Sequence, residues 1–119
     1  MTRRFVTFRR WDVVSVPFPF IEGHATKRRP ALVVSTDAFH RAHRACFGAM
    51  ITTARDMRDV RPDDIAIEDL GAAGLPRACV IRMARLATFE WGDQIRRVGT
   101  LHRRERPAFE ALLKRWLGV

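Results

Sequence analysis

The sequence predicts a mainly β fold of the α+β kind: a small, curled antiparallel sheet of SH3-like barrel type, with short helices and a C-terminal helix. Three observations predict it. Short runs rich in Val, Ile and Phe recur along the chain, among them VVSVPF, ALVVS and CFGAMITT. Turn chemistry separates later runs, as in GAAGLP and WGD. Clear helical periodicity is confined to the last stretch, from Pro107 onward. An OB-type barrel is the competing reading of the same pattern.

Residues 1–10 form a basic lead-in, with Arg3, Arg4, Arg9 and Arg10 around Phe5, Val6 and Phe8. They read as a frayed or edge strand, or as an arm that touches phosphates. The first strand runs from about Trp11 to Phe18. Pro17 and Pro19 cannot donate ladder hydrogen bonds, which confines that end to a sheet edge or a bulge. A loop, Ile21–Arg29, then carries Glu22, Gly23, His24, Thr26, Lys27, Arg28 and Arg29 and stops at Pro30. Ala31–Ser35 is the second strand. Thr36-Asp37 caps a short helical turn through Phe39–Ala45. Its His40 and His43, followed by Cys46, invite a zinc reading, but zinc wants four ligands and no fourth stands nearby, so a solvated helical face is expected.

Cys46–Thr53 is a third, mostly buried strand ending in two hydroxyls. The charged stretch Ala54–Asp64 reads as an exposed flap, with Arg55 a candidate for base contacts. Ile65 and Ile67 mark a fourth strand, and Gly71–Pro76 a turn. The fifth strand is Cys79–Met83, with Arg82 at its end. A charge among such apolar neighbours needs a partner or a site; Glu68 or Asp69 would serve as the partner. Leu86–Phe89 and Ile95–Leu101 follow, separated by the turn Trp91-Gly92-Asp93. In the final helix Pro107 fits the first turn and Gly118 the end. Phe109, Leu112, Leu113, Trp116 and Leu117 share one face, which is expected to pack on the sheet.

At 119 residues the chain is expected to be one domain, 1–119, with a single core. A 47% hydrophobic content with 29% charge argues against disorder. The net charge of +9 suits nucleic acid or an acidic protein partner. Among the 22 basic residues only Lys27 and Lys114 are lysines, and arginine forks fit phosphates better than ammonium groups do. Cys46 and Cys79 stand apart, without a CxxC, which points to buried thiols in a reduced, cytoplasmic setting. The N-terminal apolar stretch is too short for a signal peptide or a membrane span, so no membrane partner is expected. A hairpin loop built from cations, a histidine and a glycine presents them to a ligand, and phosphate fits that set best.

The segment DVVSVPFPFIEGHATKRRPALVVS (Asp12–Ser35) resembles the signature of the MazF/PemK (also Kid) toxins of toxin–antitoxin pairs: a strand, a variable loop, then Arg-Pro leading into an apolar strand. The likeness continues in family order through MITTA (Met50–Ala54), GLPRACVIRMARLATFE (Gly74–Glu90) and IRRVGTL (Ile95–Leu101). The resemblance implies an SH3-like barrel that forms a homodimer, is cytoplasmic, and cuts single-stranded RNA at short motifs without a metal or other cofactor. It also implies a cognate antitoxin, with operator DNA met only through the antitoxin complex. Carried over by position, the arginine before proline is Arg29. The family's threonine after the third strand is Thr52, with Thr53 a rival one residue on. The loop histidine is His24, and the fifth-strand arginine is Arg82. Two departures stand out: Ala84 occupies a position where some members have aspartate, and Cys79 one where serine is usual.

Metal-free RNA cleavage uses the RNA's own 2′-hydroxyl as nucleophile. The protein must take that proton, stabilise a dianionic phosphorane and protonate the leaving 5′-oxygen. Arg29 suits the second task, with Thr52 donating to the same group. His24 titrates near neutrality and is the acid–base candidate. Lys27, Arg28, Thr53, Arg55 and Phe20 are the candidate RNA contacts, with Phe18 and Trp91 as further stacking platforms. Two other readings remain: a gyrase-poisoning toxin like the CcdB toxins, and a non-catalytic nucleic-acid-binding module.

Overall fold

The computed structural model describes residues 8–18, 27–53, 60–92 and 94–119. In chain order its elements are β1 (Asp12–Phe18), β2 (Lys27–Val33), α1 (Asp37–His43), β3 (Ala45–Thr53), β4 (Asp64–Ala66), α2 (Leu70–Ala73), β5 (Cys79–Glu90), β6 (Arg96–Thr100) and α3 (Arg106–Leu117). A single 3-10 turn, Arg103–Glu105, precedes α3. The strands form one antiparallel sheet in the order β4-β5-β3-β2-β1-β6. The mainly β class, the curled sheet with short helices and the C-terminal helix are as expected.

Alternation along the strands sends successive side chains to opposite faces and builds two apolar clusters. The first takes Val13 from β1, Leu32 from β2, Ala49 and Ile51 from β3 and Ile81 from β5; Phe109 and Leu113 of α3 close it. The second takes Val14 and Val16, Ala31 and Val33, Cys46 and Met50, and Phe89, with Phe8 buried among them. Phe109, Leu32, Ile51 and Ile81 are each fully buried, and removing a side chain of this size from water stabilises by about 1.5–3 kcal/mol.

Several boundaries differ from the sequence expectation, each for a reason that lies outside local periodicity. Lys27–Arg29, expected in a loop, begin β2, because Phe18 and Pro17 of β1 pair with Lys27 and Arg28. β1 lies between β2 and β6, yet the β6 ladder ends at Ser15, so Pro17 sits where the strand has one neighbour. The two expected strands Cys79–Met83 and Leu86–Phe89 are one strand. A bulge there absorbs Met83, Ala84 and Arg85, since Met50 pairs with Arg82 and Ala49 with Leu86.

The expected turn at Gly71–Pro76 overlaps α2, which starts one residue earlier, is capped by Asp69 and is steadied from outside by Glu105, whose carboxylate accepts the N–H groups of Glu68 (2.6 Å) and Asp69 (3.3 Å). β6 runs so close beneath α2 that a Cβ on Gly99 would lie 2.3 Å from the Ala73 carbonyl carbon, so glycine is required there.

α3 starts with proline in its first turn and ends at Gly118 (φ 72°), as expected. Its apolar face is only half covered: Phe109 and Leu113 are buried, but Trp116 and Leu117 remain exposed at 55% and 58%. α1 is also turned differently from expectation. Thr36 caps it, accepting from the Phe39 N–H, but His40 is buried rather than solvated.

Candidate functional site

The second face of the sheet changes character towards the end where the chain leaves β1 and β3 and enters β2. Val14 pairs with Ala31, and Ala31 with Met50, which pairs with Arg82, which pairs with Asp64. These five residues form one row across β1, β2, β3, β5 and β4. The next row on the same face holds Val16, paired with Arg29, and Thr52, paired with Val80. The apolar rows therefore run on into Arg29, Thr52 and Arg82, on β2, β3 and β5.

The β2–β3 ladder stops at Ala31↔Met50, and the next residue of β2, Pro30, has no N–H to extend it. Arg29 and Thr52 stand on either side of that interrupted seam. Thr52 and Arg82 are diagonal neighbours across β3 and β5, a separation of about 7–8 Å that long side chains span. Arg29 and Thr52 are half-buried, and among the described residues neither side chain has a hydrogen-bond partner. None of the described residues occupies their donors.

Arg82 is held quite differently. Its Nε lies 3.2 and 3.3 Å from the two carboxylate oxygens of Asp64, and its Nη2 lies 2.9 Å from Oδ2. The backbone N–H of Arg61 donates to the same Oδ2 at 2.8 Å. The side chains are 12% and 2% exposed, so this is a nearly buried, forked ion pair. Burial pushes the Asp64 carboxyl up, but the hydrogen bond from Arg82, that from the Arg61 backbone and both guanidinium charges outweigh it. The net shift is below the ordinary value of 3.8. The sequence expectation pairs Arg82 with Glu68 or Asp69; among the described residues its carboxylate partner is Asp64, on the edge strand.

The other candidates divide. Arg28 points to the face opposite Arg29 and is tied down: Nε donates to Ser15 Oγ (3.2 Å), and Nη2 to the carbonyls of Ser15 (2.9 Å) and Gln94 (2.7 Å). It fastens the start of β2 to β1 and to the approach to β6. Thr53 pairs with Cys79 and shares the face covered by α3, so alternation separates it from Arg29 and Arg82, whereas Thr52 stands with them. Lys27 opens β2. Trp91 is packed against Phe8 (ring centroids 5.1 Å) and His40 (5.5 Å). His24, Phe20 and Arg55 lie outside the described residues.

His40 is the buried polar group that periodicity hid. Its Nδ1–H donates to the Phe8 carbonyl at 2.9 Å, which leaves Nε2 to accept from the Ser35 hydroxyl at 2.6 Å. Ser35 Oγ in turn accepts the Phe47 N–H at 2.9 Å. Every donor has an acceptor only when the imidazole is neutral. Desolvation lowers its pKa below 6.5, against the opposing effects of the Phe8 carbonyl and nearby carboxylates. Burial likewise pushes the Cys46 thiol up to about 12, which makes it inert. Among the described residues no three His, Cys, Asp or Glu side chains gather as a metal site would require.

Asp64 is a residue of the candidate face that sequence reasoning does not name. Its signal was there in outline: a charge in a core-like strand demands a partner, and β4 opens with a carboxylate.

Residues 9–117 match the family described as PemK-like, MazF-like toxin of type II toxin-antitoxin system. No curated protein matches the chain in sequence. Among solved structures, MazF from Deinococcus radiodurans superposes with a TM-score of 0.74 at 18% identity, over 96% of this chain and 99% of that one. An endoribonuclease in complex with its cognate antitoxin, from a mycobacterial species, gives 0.70 at 16% identity, over 95% of each chain. The Mycobacterium tuberculosis toxin MazF-mt6 gives 0.69 at 18%, over 91% of this chain and 97% of that one. At these identities the likeness is one of fold.

Proposed function

The chain belongs to the PemK-like, MazF-like toxin family, and from that premise we propose that it is an endoribonuclease cutting single-stranded RNA by 2′-hydroxyl attack. The 2′-oxygen forms a bond to the adjacent phosphorus and the bond from phosphorus to the 5′-oxygen breaks. The products are a 2′,3′-cyclic phosphate and a 5′-hydroxyl. One proton leaves the 2′-oxygen and one arrives on the departing 5′-oxygen; His24 is the group we assign to this traffic. Arg29 takes the non-bridging phosphate oxygens as a fork, and Thr52 donates to the same group. Arg82 adds a second positive charge where the phosphorane forms. One such preorganised donor contributes about 3 kcal/mol to the transition state.

The observation that carries this reading is the common face. Arg29, Thr52 and Arg82 come from three adjacent strands, and two of them offer donors that the described fold does not use. None of the reacting steps assigned to these residues calls for a metal. The physiological partner we propose is a cognate antitoxin, as in the mycobacterial complex, and a net charge of +9 suits an acidic segment of it. A homodimer in the cytoplasm, reaching operator DNA only with the antitoxin, completes the proposal.

The test is to incubate the protein with a long mixed-sequence RNA in EDTA, beside Arg29→Ala, and to map the ends. Discrete cuts with cyclic-phosphate ends, absent in the variant, are expected. Intact RNA at high protein excess, with salt-sensitive binding only, would replace the nuclease by a binding module.

A further inference from the structure

We propose that Asp64 is a positioning residue: its carboxylate grips the Nε–Nη2 edge of Arg82 and sets the direction in which that guanidinium meets the scissile phosphate. The inference rests on the ribonuclease reading above and assigns a role to a residue that reading does not use.

The geometry fixes both partners. The carboxylate takes three contacts from Arg82 at 2.9–3.3 Å and one from the Arg61 N–H at 2.8 Å. The Asp64 N–H donates back to the Arg61 carbonyl at 3.0 Å, closing a turn that holds the strand entry in place. A guanidinium caught along its Nε–Nη2 edge cannot turn without breaking those contacts, so its plane is fixed. By register Arg82 shares its face of the sheet with Thr52, diagonally across β3 and β5.

Fold stability alone gives little reason for such a pair. β4 is three residues long, and its next pair, Ile65↔Ile81, joins it to β5 by apolar contact. Replacing a buried ion pair by apolar side chains is commonly neutral or stabilising, because desolvating two charges offsets their attraction. What the fork adds is direction. An acid–base role fits Asp64 poorly: its carboxyl is held below the ordinary carboxylate range, so near neutral pH it is ionised and a weak base.

The experiment measures kcat and KM on a single-site RNA oligonucleotide for wild type, Asp64→Asn, Asp64→Glu, Arg82→Gln and the double variant Asp64→Asn/Arg82→Gln. Asp64→Asn is expected to lower kcat about tenfold or more while KM moves by less than about twofold. In the Arg82→Gln background it is expected to add nothing, since no fork remains to direct. Wild-type kcat in Asp64→Asn overturns the proposal, and so does an equal fractional loss in both backgrounds. Should Asp64→Asn fail to fold, Asp64→Glu decides. It keeps the charge but displaces the fork by one methylene, and lowered kcat at unchanged melting temperature supports the proposal, whereas wild-type kcat overturns it. If wild type itself leaves the RNA intact, the ribonuclease reading has failed and the positioning role falls with it, visibly, before any variant is compared.

Discussion

On one face of the sheet, Val13, Leu32, Ala49, Ile51 and Ile81 run without interruption to Phe109 and Leu113 of α3. On the other face, Val14, Val16, Ala31 and Met50 form the same kind of layer, but it gives way to Arg29, Thr52 and Arg82. The two faces are made by alternate residues of the same strands. Chain neighbours therefore have different places: Arg28 ties β2 to Ser15 and Gln94 while Arg29 lies on the opposite face; Thr53 lies with the face covered by α3 while Thr52 joins the arginines; Ile81 is core while Arg82 belongs to the candidate face. In a strand, a shift of one residue exchanges structure for chemistry.

That division predicts which substitutions move stability and which move turnover. Phe109→Ala empties the centre of the covered face and should lower the unfolding free energy by about 3–5 kcal/mol in urea titration, leaving turnover per folded molecule unchanged. A loss of turnover per folded molecule would break the separation of faces. Arg29→Ala should do the reverse, reducing RNA cleavage by about 10²–10³ while the melting temperature stays near that of wild type.

Its neighbour sharpens the contrast. Arg28→Ala removes three hydrogen bonds that join the start of β2 to β1 and to Gln94. It should reduce stability by about 1 kcal/mol, with cleavage falling far less than in Arg29→Ala. Thr52→Val should lower cleavage by about tenfold, and Thr53→Val should leave it within about twofold, as single-turnover rates will show. Equal losses in the two threonine variants would mean that both faces reach the RNA.

The smallest expected effect concerns pH. His40 is held neutral by its contacts with Ser35 and Phe8, so its folded pKa lies below the unfolded value of 6.5. The unfolded chain binds the proton more readily. Stability should therefore be complete above about pH 6.5 and decline as pH falls towards the folded pKa. Chemical denaturation between pH 7.5 and about 5 checks this, and a His40→Gln variant should lack that part of the slope.

Much of the fold was legible from residue order. The strands Trp11–Phe18 and Cys46–Thr53, the cap at Thr36 and the helix between Pro107 and Gly118 all follow from local periodicity and punctuation, and the structure places them within a residue or two. Lys27–Arg29 read as loop in the sequence because charged residues at a strand end resemble loop until their partners on β1 are known. β5 was divided because its bulge interrupts the pattern. Of the candidate site, Arg29, Thr52 and Arg82 are legible through the family motif; Asp64 is foreshadowed only by the need of Arg82 for a partner, since nothing in DIAIED marks its first residue as that partner, 18 positions away.

Residue order alone carries the strand and helix segments and the basic character of the chain, which follow from side-chain period, backbone restriction at proline and glycine, and charge, all acting within a few residues. The candidate phosphodiester residues enter only through the resemblance to the family. Which of Thr52 and Thr53 joins the arginines, that Arg28 reaches Gln94 across 66 residues, that His40 is closed against Phe8 across 32, and that Asp64 holds Arg82 are settled by the folded sheet. Those outcomes depend on cross-strand register. Register is chosen by burying two apolar faces of one sheet at once, a condition no local stretch of the chain contains.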